Sequence, residues 1–322
     1  MNAITSTENA TKQKLYDLVI IGGGPAGLSA ALYGARGNIS TLVLEKGLPG
    51  GELNNTEEVE NYPGLDHKKG PEIAEMMIEH AKRFGAEYLN LTNIYSVDLK
   101  AQPKVLKTEE GDILAKSVII ATGSEHRKLN VPGEKEYAGK GVSYCAVCDG
   151  AFFKNKHVVV VGGGNAAVEE GNFVTRYAAK VTLIHRRDTL RAEKIVQKRA
   201  LNNPKMSFLW DTAVESIEGD LMGVSKVKIK NLKTQEQSEL ACDGVFIYVG
   251  LEPNISLFKD QIELDEGNRI ITNEKLETNI QGVLAAGDVR VTPLRQAVTA
   301  AADGSLAATT AIGFLESLHD ND

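Results

Sequence analysis

The chain has 322 residues, of which 42% are hydrophobic and 25% charged, and a formal net charge of −7. That is long for one hydrophobic core, so two domains are expected, and the mixed charge with no Lys/Arg block argues against nucleic acid as a partner. Three cysteines, a polar N-terminus without a signal segment and no apolar run near the roughly 20 residues that span a bilayer point to a cytoplasmic protein with no membrane partner and no disulfide framework.

Residues 1–14 are rich in Thr, Asn and Ala and are expected to form a frayed tail. The run from Leu15 to Ile21 is apolar and β-branched, and it ends in Gly22-Gly23-Gly24-Pro25-Ala26-Gly27 before a helical pattern that reaches about Ala35. This is strand, tight turn, helix. Residues 41–44 form the next strand and close a βαβ unit ending in Glu45 and Lys46. Pro71 opens a helix that runs to Phe84, with proline at its first position. Residues 117–120 form a buried strand that runs into Ala121-Thr122-Gly123. The scheme then restarts. Residues 157–161 lead into Gly162-Gly163-Gly164-Asn165-Ala166-Ala167 and a helix, and residues 180–184 form the second strand of this unit. Residues 224–230 and 238–241 alternate and read as antiparallel strands. Residues 244–250 and 282–288 are buried strands, and a long helix from Arg295 to Leu318 closes the chain.

Two strand, glycine turn, helix units imply an α/β protein with two doubly wound, Rossmann-like nucleotide-binding domains. The remainder after the second unit is larger than that domain needs. Residues 252–322 are therefore expected to return to residues 1–124 and complete one discontinuous domain, into which residues 125–251 are inserted.

Each glycine turn follows a strand and precedes a helix, the context that separates a dinucleotide fingerprint from a plain turn. Glycine permits the tight turn and lets a pyrophosphate approach N–H groups at the positive helix end. The first turn supplies Gly22, Gly24, Pro25, Ala26 and Gly27. The second supplies Gly162, Gly164, Asn165, Ala166 and Ala167, with alanine at the third glycine position, a change compatible with slightly looser helix–strand packing. The ends of the second strands differ. A carboxylate at Glu45 accepts hydrogen bonds from ribose hydroxyls and repels a 2′-phosphate, so the first unit suits the adenosine of FAD or NAD. The second unit has His185, Arg186, Arg187 and Arg191 there, and guanidinium forks suit the 2′-phosphate of NADP. The competing reading, a solvated charged helix start, fits this placement less well.

Between the fingerprints lies Cys145-Ala146-Val147-Cys148-Asp149. This spacing suits a reversible disulfide across one turn, and a closely spaced pair in a cytosolic chain is a catalytic dithiol or part of a metal site. Asp149 can protonate a leaving thiolate where burial favours its protonated form. Zinc needs about four ligands, and only Cys242 and scattered histidines remain for it. Cys242 reads as a buried inert thiol, His126, His157 and His185 as structural or phosphate-facing, and Trp210 as core or interface.

By order and spacing, residues 22–27, Gly50-Gly51 with residues 57–63, 121–123, 145–149, 162–167, 185–191, Gly287-Asp288 and Arg295-Gln296-Ala297 resemble the low-molecular-weight thioredoxin reductases. The resemblance covers essentially the whole chain after the tail. It implies an NADPH-dependent thioredoxin-disulfide reductase, a cytoplasmic homodimer with one FAD per subunit. Cys148 then faces the flavin, Cys145 attacks the partner's disulfide, and Asp149 donates and accepts the proton. The resemblance adds Gly51, Glu52, Asn61, Ala121, Thr122 and Gly123 to the FAD site and places Gly287 and Asp288 at the ribityl or phosphate region. Arg295, Gln296 and Ala297 start the helix whose positive end faces the flavin ring and stabilises its reduced, negative form. Lys140, Phe152 and Phe153 fall on the partner surface, with Glu134 and Glu136 making it less basic. Two positions depart from the family. Glu52 replaces a common glutamine and can only accept hydrogen bonds when ionised, which can make flavin reduction harder. Tyr144 replaces a smaller residue and can narrow partner access.

A ferredoxin-dependent relative or a flavin-dependent dithiol oxidase could dispense with the second fingerprint and its arginines, and a redox-sensing module would not need an intact NADPH pocket. This chain keeps both. The nicotinamide must come within about 3–3.5 Å of the flavin, and the dithiol needs the same region. One rigid arrangement cannot serve both, so rotation about Gly123-Ser124 and residues 250–253 is expected.

Overall fold

The computed structural model describes residues 14–56, 59–65 and 68–319. Residues 1–13 of the expected tail, and Glu57 and Glu58, lie outside the described residues. The chain divides into two compact units, Met1–Ser124 with Pro253–Asp322, and Glu125–Glu252. In chain order the elements are β1 (Leu15–Ile21), α1 (Pro25–Arg36), β2 (Thr41–Leu44), α2 (Gly70–Arg83), β3 (Glu87–Leu89), β4 (Ile94–Asp98), β5 (Lys104–Thr108), β6 (Gly111–Ile120) and β7 (Ser124–His126). Then come β8 (Val142–Ser143), α3 (Ala146–Asp149), β9 (His157–Gly162), α4 (Asn165–Val174), β10 (Lys180–Ile184), α5 (Lys194–Leu201), β11 (Met206–Leu209), β12 (Thr212–Asp220), β13 (Gly223–Asn231) and β14 (Gln237–Ala241). The chain ends with β15 (Gly244–Tyr248), β16 (Leu251–Pro253), β17 (Val283–Ala285) and α6 (Ala297–His319).

The first unit is built on a sheet of order β3-β2-β1-β6-β5-β4, with β17 also on β6. β6 is ten residues long, whereas the apolar run predicts a strand only over residues 117–120. Its first half pairs antiparallel with β5, and its second half pairs parallel with β1 and β17. Strands buried on both faces read as continuous apolar runs, and alternate residues feed two cores. Leu18, Ile20, Val43 and Ile119 pack against alanines of α1 and α6. Val19, Ile21, Leu42, Leu44, Val118 and Ile120 pack against Leu99, Leu106, Phe258 and Ile262. By length and composition α6 is apolar enough to cross a membrane, against the sequence expectation. Its Ala300, Ala307, Ala308 and Ala311 are instead buried in the first of these cores.

The second unit has a parallel sheet of order β11-β10-β9-β15-β8. One face packs on α4 and α5 through Val158, Val160, Val168, Val196 and Phe246. The other is covered by the antiparallel trio β12, β13 and β14, through Val159, Val161, Ile217, Val227 and Ile247. The two chain crossings, β7 and β16, pair with each other.

Candidate active site

In the first unit Ile21 is in register with Leu44 and Ile120, and Ile120 with Ala285. Gly22, Glu45, Ala121 and Ala286-Gly287 therefore meet at one carboxyl edge, where doubly wound sheets take nucleotides. Gly22 has φ +106°, and a Cβ there would run into the Ala121 carbonyl, while one on Gly27 would run into the Gly22 carbonyl oxygen. The turn closes only with both glycines. α1 starts at Gly24 without a side-chain cap, with Pro25 in its first turn and no acid there, so its positive end is available to an anion. A Cβ on Gly24 would approach only Gly51, at 3.9 Å. Ala26 is buried where α1 meets α6. Glu45 is held by the Gly23 N–H at 2.6 Å and the Gly47 N–H at 2.7 Å, which fixes its carboxylate beside the turn. Lys46 is exposed.

The other side of this edge is a hydrogen-bonded frame. Thr122 Oγ1 donates to the Asn254 carbonyl at 2.8 Å, and Asn254 Nδ2 donates back to Thr122 at 3.0 Å. The Asn254 N–H reaches the Gly123 carbonyl at 3.0 Å. The Gly287 N–H donates to Asp303 Oδ2 at 3.1 Å, and Arg290 Nε pairs with the same carboxylate at 2.8 Å. This clamp escapes the sequence reading, whose only signal for it is an acid inside an alanine-rich helix. Asn61 Nδ2 donates to Gln296 Oε1 at 3.0 Å, bringing together two expected FAD residues. The final helix begins at Ala297, and the Gln296 carbonyl takes its first bond, from the Ala300 N–H. Arg295 precedes it, exposed. Asp288 is half-buried and its pKa is pushed up to about 6, mainly by burial, with Arg295 opposing and the charges of Glu52 and Asp303 adding. Glu52, exposed in the short turn Gly51–Asn55, thus acts on the corner where the flavin is expected.

The second unit carries its features on one edge too. Ile184 pairs with Val161, Tyr248 with Gly162, and Phe246 with Ser143. His185, Gly162, Tyr248 and Cys145 therefore stand in a row across β10, β9, β15 and β8. α4 starts at an uncapped Gly164 with no acid in its first turn, and a Cβ on Gly164 would meet nothing within 4 Å. Ala166 is exposed, and Ala167 is buried against the sheet. The Arg191 N–H donates to the Gly163 carbonyl at 2.7 Å. Asn165 and Glu193 exchange two hydrogen bonds, of 3.0 and 2.7 Å, a clamp on the basic loop that sequence reasoning misses. Arg186, Arg187 and Arg191 are exposed and, among the described residues, have no acidic partner. His185 differs from the expectation of a basic cluster. It is 4% exposed, and burial with the charges of Arg191, Arg187 and Arg186 holds its pKa below the ordinary value. The imidazole is neutral, lies against Gly163, and leaves Nε2 buried without a hydrogen-bond partner. A nucleotide at the turn would satisfy such an orphan.

Cys145 and Cys148 form a disulfide with Cα atoms 5.3 Å apart. The Cys148 N–H donates to Cys145 Sγ at 3.1 Å, and the Asp149 N–H to the Cys145 carbonyl at 3.1 Å. Cys148 is exposed, while Cys145 and Asp149 are half-buried. Tyr248, missed by the sequence reading, holds this turn together with Tyr144, Glu134 and His126. The Ala146 N–H donates to Tyr248 Oη at 2.9 Å. Tyr144 Oη donates to Glu134 Oε1 at 2.7 Å, and Glu134 also accepts from the Leu129 and Asn130 N–H groups. His126 stacks on Tyr144 at 6.4 Å and meets Tyr248 edge-on at 5.5 Å. Burial and the Glu134 carboxylate raise the Tyr144 pKa, so the phenol keeps its proton. Tyr144 is thus an anchor, its hydroxyl committed to an interior acid.

Two surface expectations change accordingly. Glu134 is 4% exposed and turned inward to these donors, so of the two acids only Glu136 adds surface charge. Phe153 is buried edge-on to Phe246 at 5.3 Å, leaving Lys140 and Phe152 exposed. Cys242 is buried in the second core, with its thiol pushed up to about 12 by burial. His157 hydrogen-bonds Thr182 at 2.8 Å, and Trp210 stacks on Phe208 at 5.3 Å. Among the described residues no three His, Cys, Asp or Glu side chains gather as a metal site.

Residues 16–304 match the family model of the pyridine nucleotide-disulphide oxidoreductases. The chain is 50% identical over 310 residues to a thioredoxin reductase of Bacillus subtilis (strain 168), covering 96% of this chain and 98% of that relative. The crystal structure of Lactococcus lactis thioredoxin reductase in the FR conformation superposes with a TM-score of 0.92 at 47% identity, over 94% of this chain and 99% of that one. The thioredoxin reductase structure from Streptococcus pyogenes MGAS5005, 48% identical with the same coverage, gives 0.63. Enzymes of this kind use FAD and NADPH. The residues fit both groups, with two uncapped helix starts facing open turns, an acid at one adenosine position, and arginines beside an unpartnered imidazole nitrogen at the other. The chain belongs to the pyridine nucleotide-disulphide oxidoreductase family, among its thioredoxin reductases.

Proposed function

We propose that the enzyme reduces the disulfide of thioredoxin with NADPH, electrons passing through FAD and the Cys145–Cys148 pair. The observation that carries this reading is the disulfide itself, on the same sheet edge as the second glycine turn. When bound, the two cofactors supply the two-electron chemistry that reduces it. Residues 22–27 take the FAD pyrophosphate and Glu45 its adenosine ribose. Gly51, Glu52, Asn61, residues 121–123 and Gln296 line the flavin end, with Asp288 at the ribityl chain. Residues 162–167 take the NADPH pyrophosphate, and Arg186, Arg187 and Arg191 its 2′-phosphate.

The reduced pair then acts by thiol–disulfide exchange. The Cys145 thiolate attacks one partner sulfur, forming a mixed disulfide while the other partner sulfur leaves as a thiolate. Cys148 attacks Cys145 Sγ, which restores the Cys145–Cys148 bond and releases the second partner thiolate. The Cys148 N–H, 3.1 Å from Cys145 Sγ, favours the thiolate form of Cys145. The Asp149 carboxyl gives a proton to a leaving sulfur and takes the proton from Cys148 as it attacks.

Because the glycine turn and the dithiol share one edge, the second unit must present them to one flavin alternately. This supports rotation about Gly123-Ser124 and residues 250–253. Two solved relatives of near-equal identity, 47% and 48%, superpose with TM-scores of 0.92 and 0.63, a spread that rotation between domains of fixed fold accounts for and sequence divergence does not. The same reading makes the enzyme a homodimer of the cytoplasm, where disulfide reduction is the prevailing direction. The test is NADPH titration of the wild type and Cys148→Ser, followed by flavin absorbance, with turnover of added thioredoxin. Flavin bleaches in both and turnover is lost in the variant; retained turnover in Cys148→Ser overturns the reading.

A further inference from the structure

We infer that Glu193 is a positioning residue for the choice of nucleotide: by holding Asn165 it fixes the backbone of Arg191 and leaves that guanidinium free for a 2′-phosphate. This rests on the assignment of Arg191 to the 2′-phosphate of NADPH proposed above. It goes beyond it by naming the residue that sets the arginine in place. Glu193 lies outside the glycine turn and outside the run of basic residues. It stands at the N-cap of α5, yet its side chain bonds none of that helix's own N–H groups. The carboxylate turns to the glycine turn instead. Its Oε1 accepts from Asn165 Nδ2 at 3.0 Å, and the Glu193 N–H donates to Asn165 Oδ1 at 2.7 Å. Asn165 is the first residue of α4, so the pair ties the far end of the basic loop to the helix whose start takes the pyrophosphate.

The loop is held on both sides of Arg191. The Leu190 and Ala192 carbonyls accept from Gln197 Nε2 at 3.3 and 2.7 Å, and Ala192 is buried. The Arg191 N–H is bonded to the Gly163 carbonyl at 2.7 Å. The Arg191 backbone is thereby pinned against the turn while its side chain stays exposed. Glu193 is also the acid nearest to Arg191 along the chain. A carboxylate paired with that guanidinium would occupy the donors that a phosphate needs. Among the described residues the two do not pair, because the Glu193 carboxylate is committed to a neutral amide. The clamp therefore does two things: it orders the loop, and it keeps the neighbouring acid off the arginine.

Preorganisation sets the size of the effect. A loop that is already ordered loses little freedom when it takes a ligand, whereas an unheld loop must be ordered at the expense of binding. Ordering about one residue of backbone is worth about tenfold in affinity. Only the group that the loop receives feels this loss. The pyrophosphate meets the turn and the start of α4, which the clamp does not build, so a nucleotide without the 2′-phosphate should bind as before.

The test is calorimetric titration of the oxidised holoenzyme with NADP+ and with NAD+, which reads binding without turnover, in wild type, Glu193→Ala and Glu193→Gln. Glu193→Ala should bind NADP+ about tenfold more weakly and NAD+ as wild type does, and the kept NAD+ binding shows that the variant is folded. Glu193→Gln retains the accepting Oε1 and loses only the charge, so its NADP+ affinity should stay within about twofold of wild type or rise. Wild-type NADP+ affinity in Glu193→Ala overturns the inference, and so does an equal loss for the two nucleotides. A loss in Glu193→Gln as large as in Glu193→Ala also overturns it, because the accepting oxygen would then not be what matters. A wild type that binds NADP+ and NAD+ equally overturns the placement of the 2′-phosphate on Arg191 and this inference with it.

Discussion

Asp288→Asn in the flavin-free protein probes the electrostatics of the flavin corner directly. The carboxyl is moved from its ordinary 3.8 to about 6, with burial the main cause. At about 1.4 kcal/mol per unit, that is about 3 kcal/mol by which folding disfavours the carboxylate, and solvent at a half-buried site trims it to about 2 kcal/mol. The folded pKa lies above the unfolded one, so the folded state holds the proton more tightly. Stability from this group is full below about pH 4 and is lost as the pH rises through about 6. A neutral amide suffers no such loss. Relative to wild type, the variant should therefore gain about 2 kcal/mol between about pH 4 and pH 7.5. Urea unfolding followed by circular dichroism across this range measures the gain. A difference between the two proteins that stays flat with pH refutes the reasoning. In the holoenzyme the same change removes an acceptor and weakens FAD retention, so the two forms respond in opposite directions.

Glu52→Gln removes one of the charges that raise the Asp288 pKa. It should lower that pKa and make flavin reduction easier by about 20 mV, the two-electron equivalent of about 1 kcal/mol; spectroelectrochemistry would show no shift if Glu52 does not face the flavin. Arg191→Ala should raise the KM for NADPH between about 10-fold and 100-fold, the loss of a hydrogen bond to a charged group, and leave the KM for NADH unchanged. Equal losses for both nucleotides would place the 2′-phosphate elsewhere. Gly304→Ala puts a Cβ into the Ala26 carbonyl oxygen where α6 crosses α1 and should destabilise the protein by about 1–3 kcal/mol. An unchanged Tm would show that the two helices separate freely.

What was legible in the sequence is what is local. A glycine turn between strand and helix, the residue ending the next strand, and two cysteines two residues apart are short patterns whose geometry depends on their own backbone. The parts not legible are pairs whose members lie far apart in the chain. Nothing near Glu134 announces that its carboxylate anchors Tyr144, and nothing near Asp303 announces Arg290. Phe152 and Phe153 are adjacent and chemically identical, yet the tight turn Gly150–Phe153 sends one outward and the other into the core. His185 was open to a better reading. Val181, Leu183 and His185 alternate along one face of β10, and Val181 and Leu183 are in the core, so period two carries the histidine inward.

β8 marks the limit of local pattern most sharply. It is two residues, Val142-Ser143, too short to carry a strand signal of its own, and it exists because Val245 and Phe246 pair with it. That pairing sets the dithiol two residues beyond Ser143, on the edge where β9 delivers the glycine turn, two strands away at about 4.8 Å per strand. Without β8 the cysteines and the turn would be two motifs on one chain. With it they lie about 10 Å apart on one rigid sheet. A single flavin can then serve both only in succession, so β8, a strand that no residue pattern predicts, supplies the fixed spacing behind the alternation that two motifs in one domain already lead one to expect.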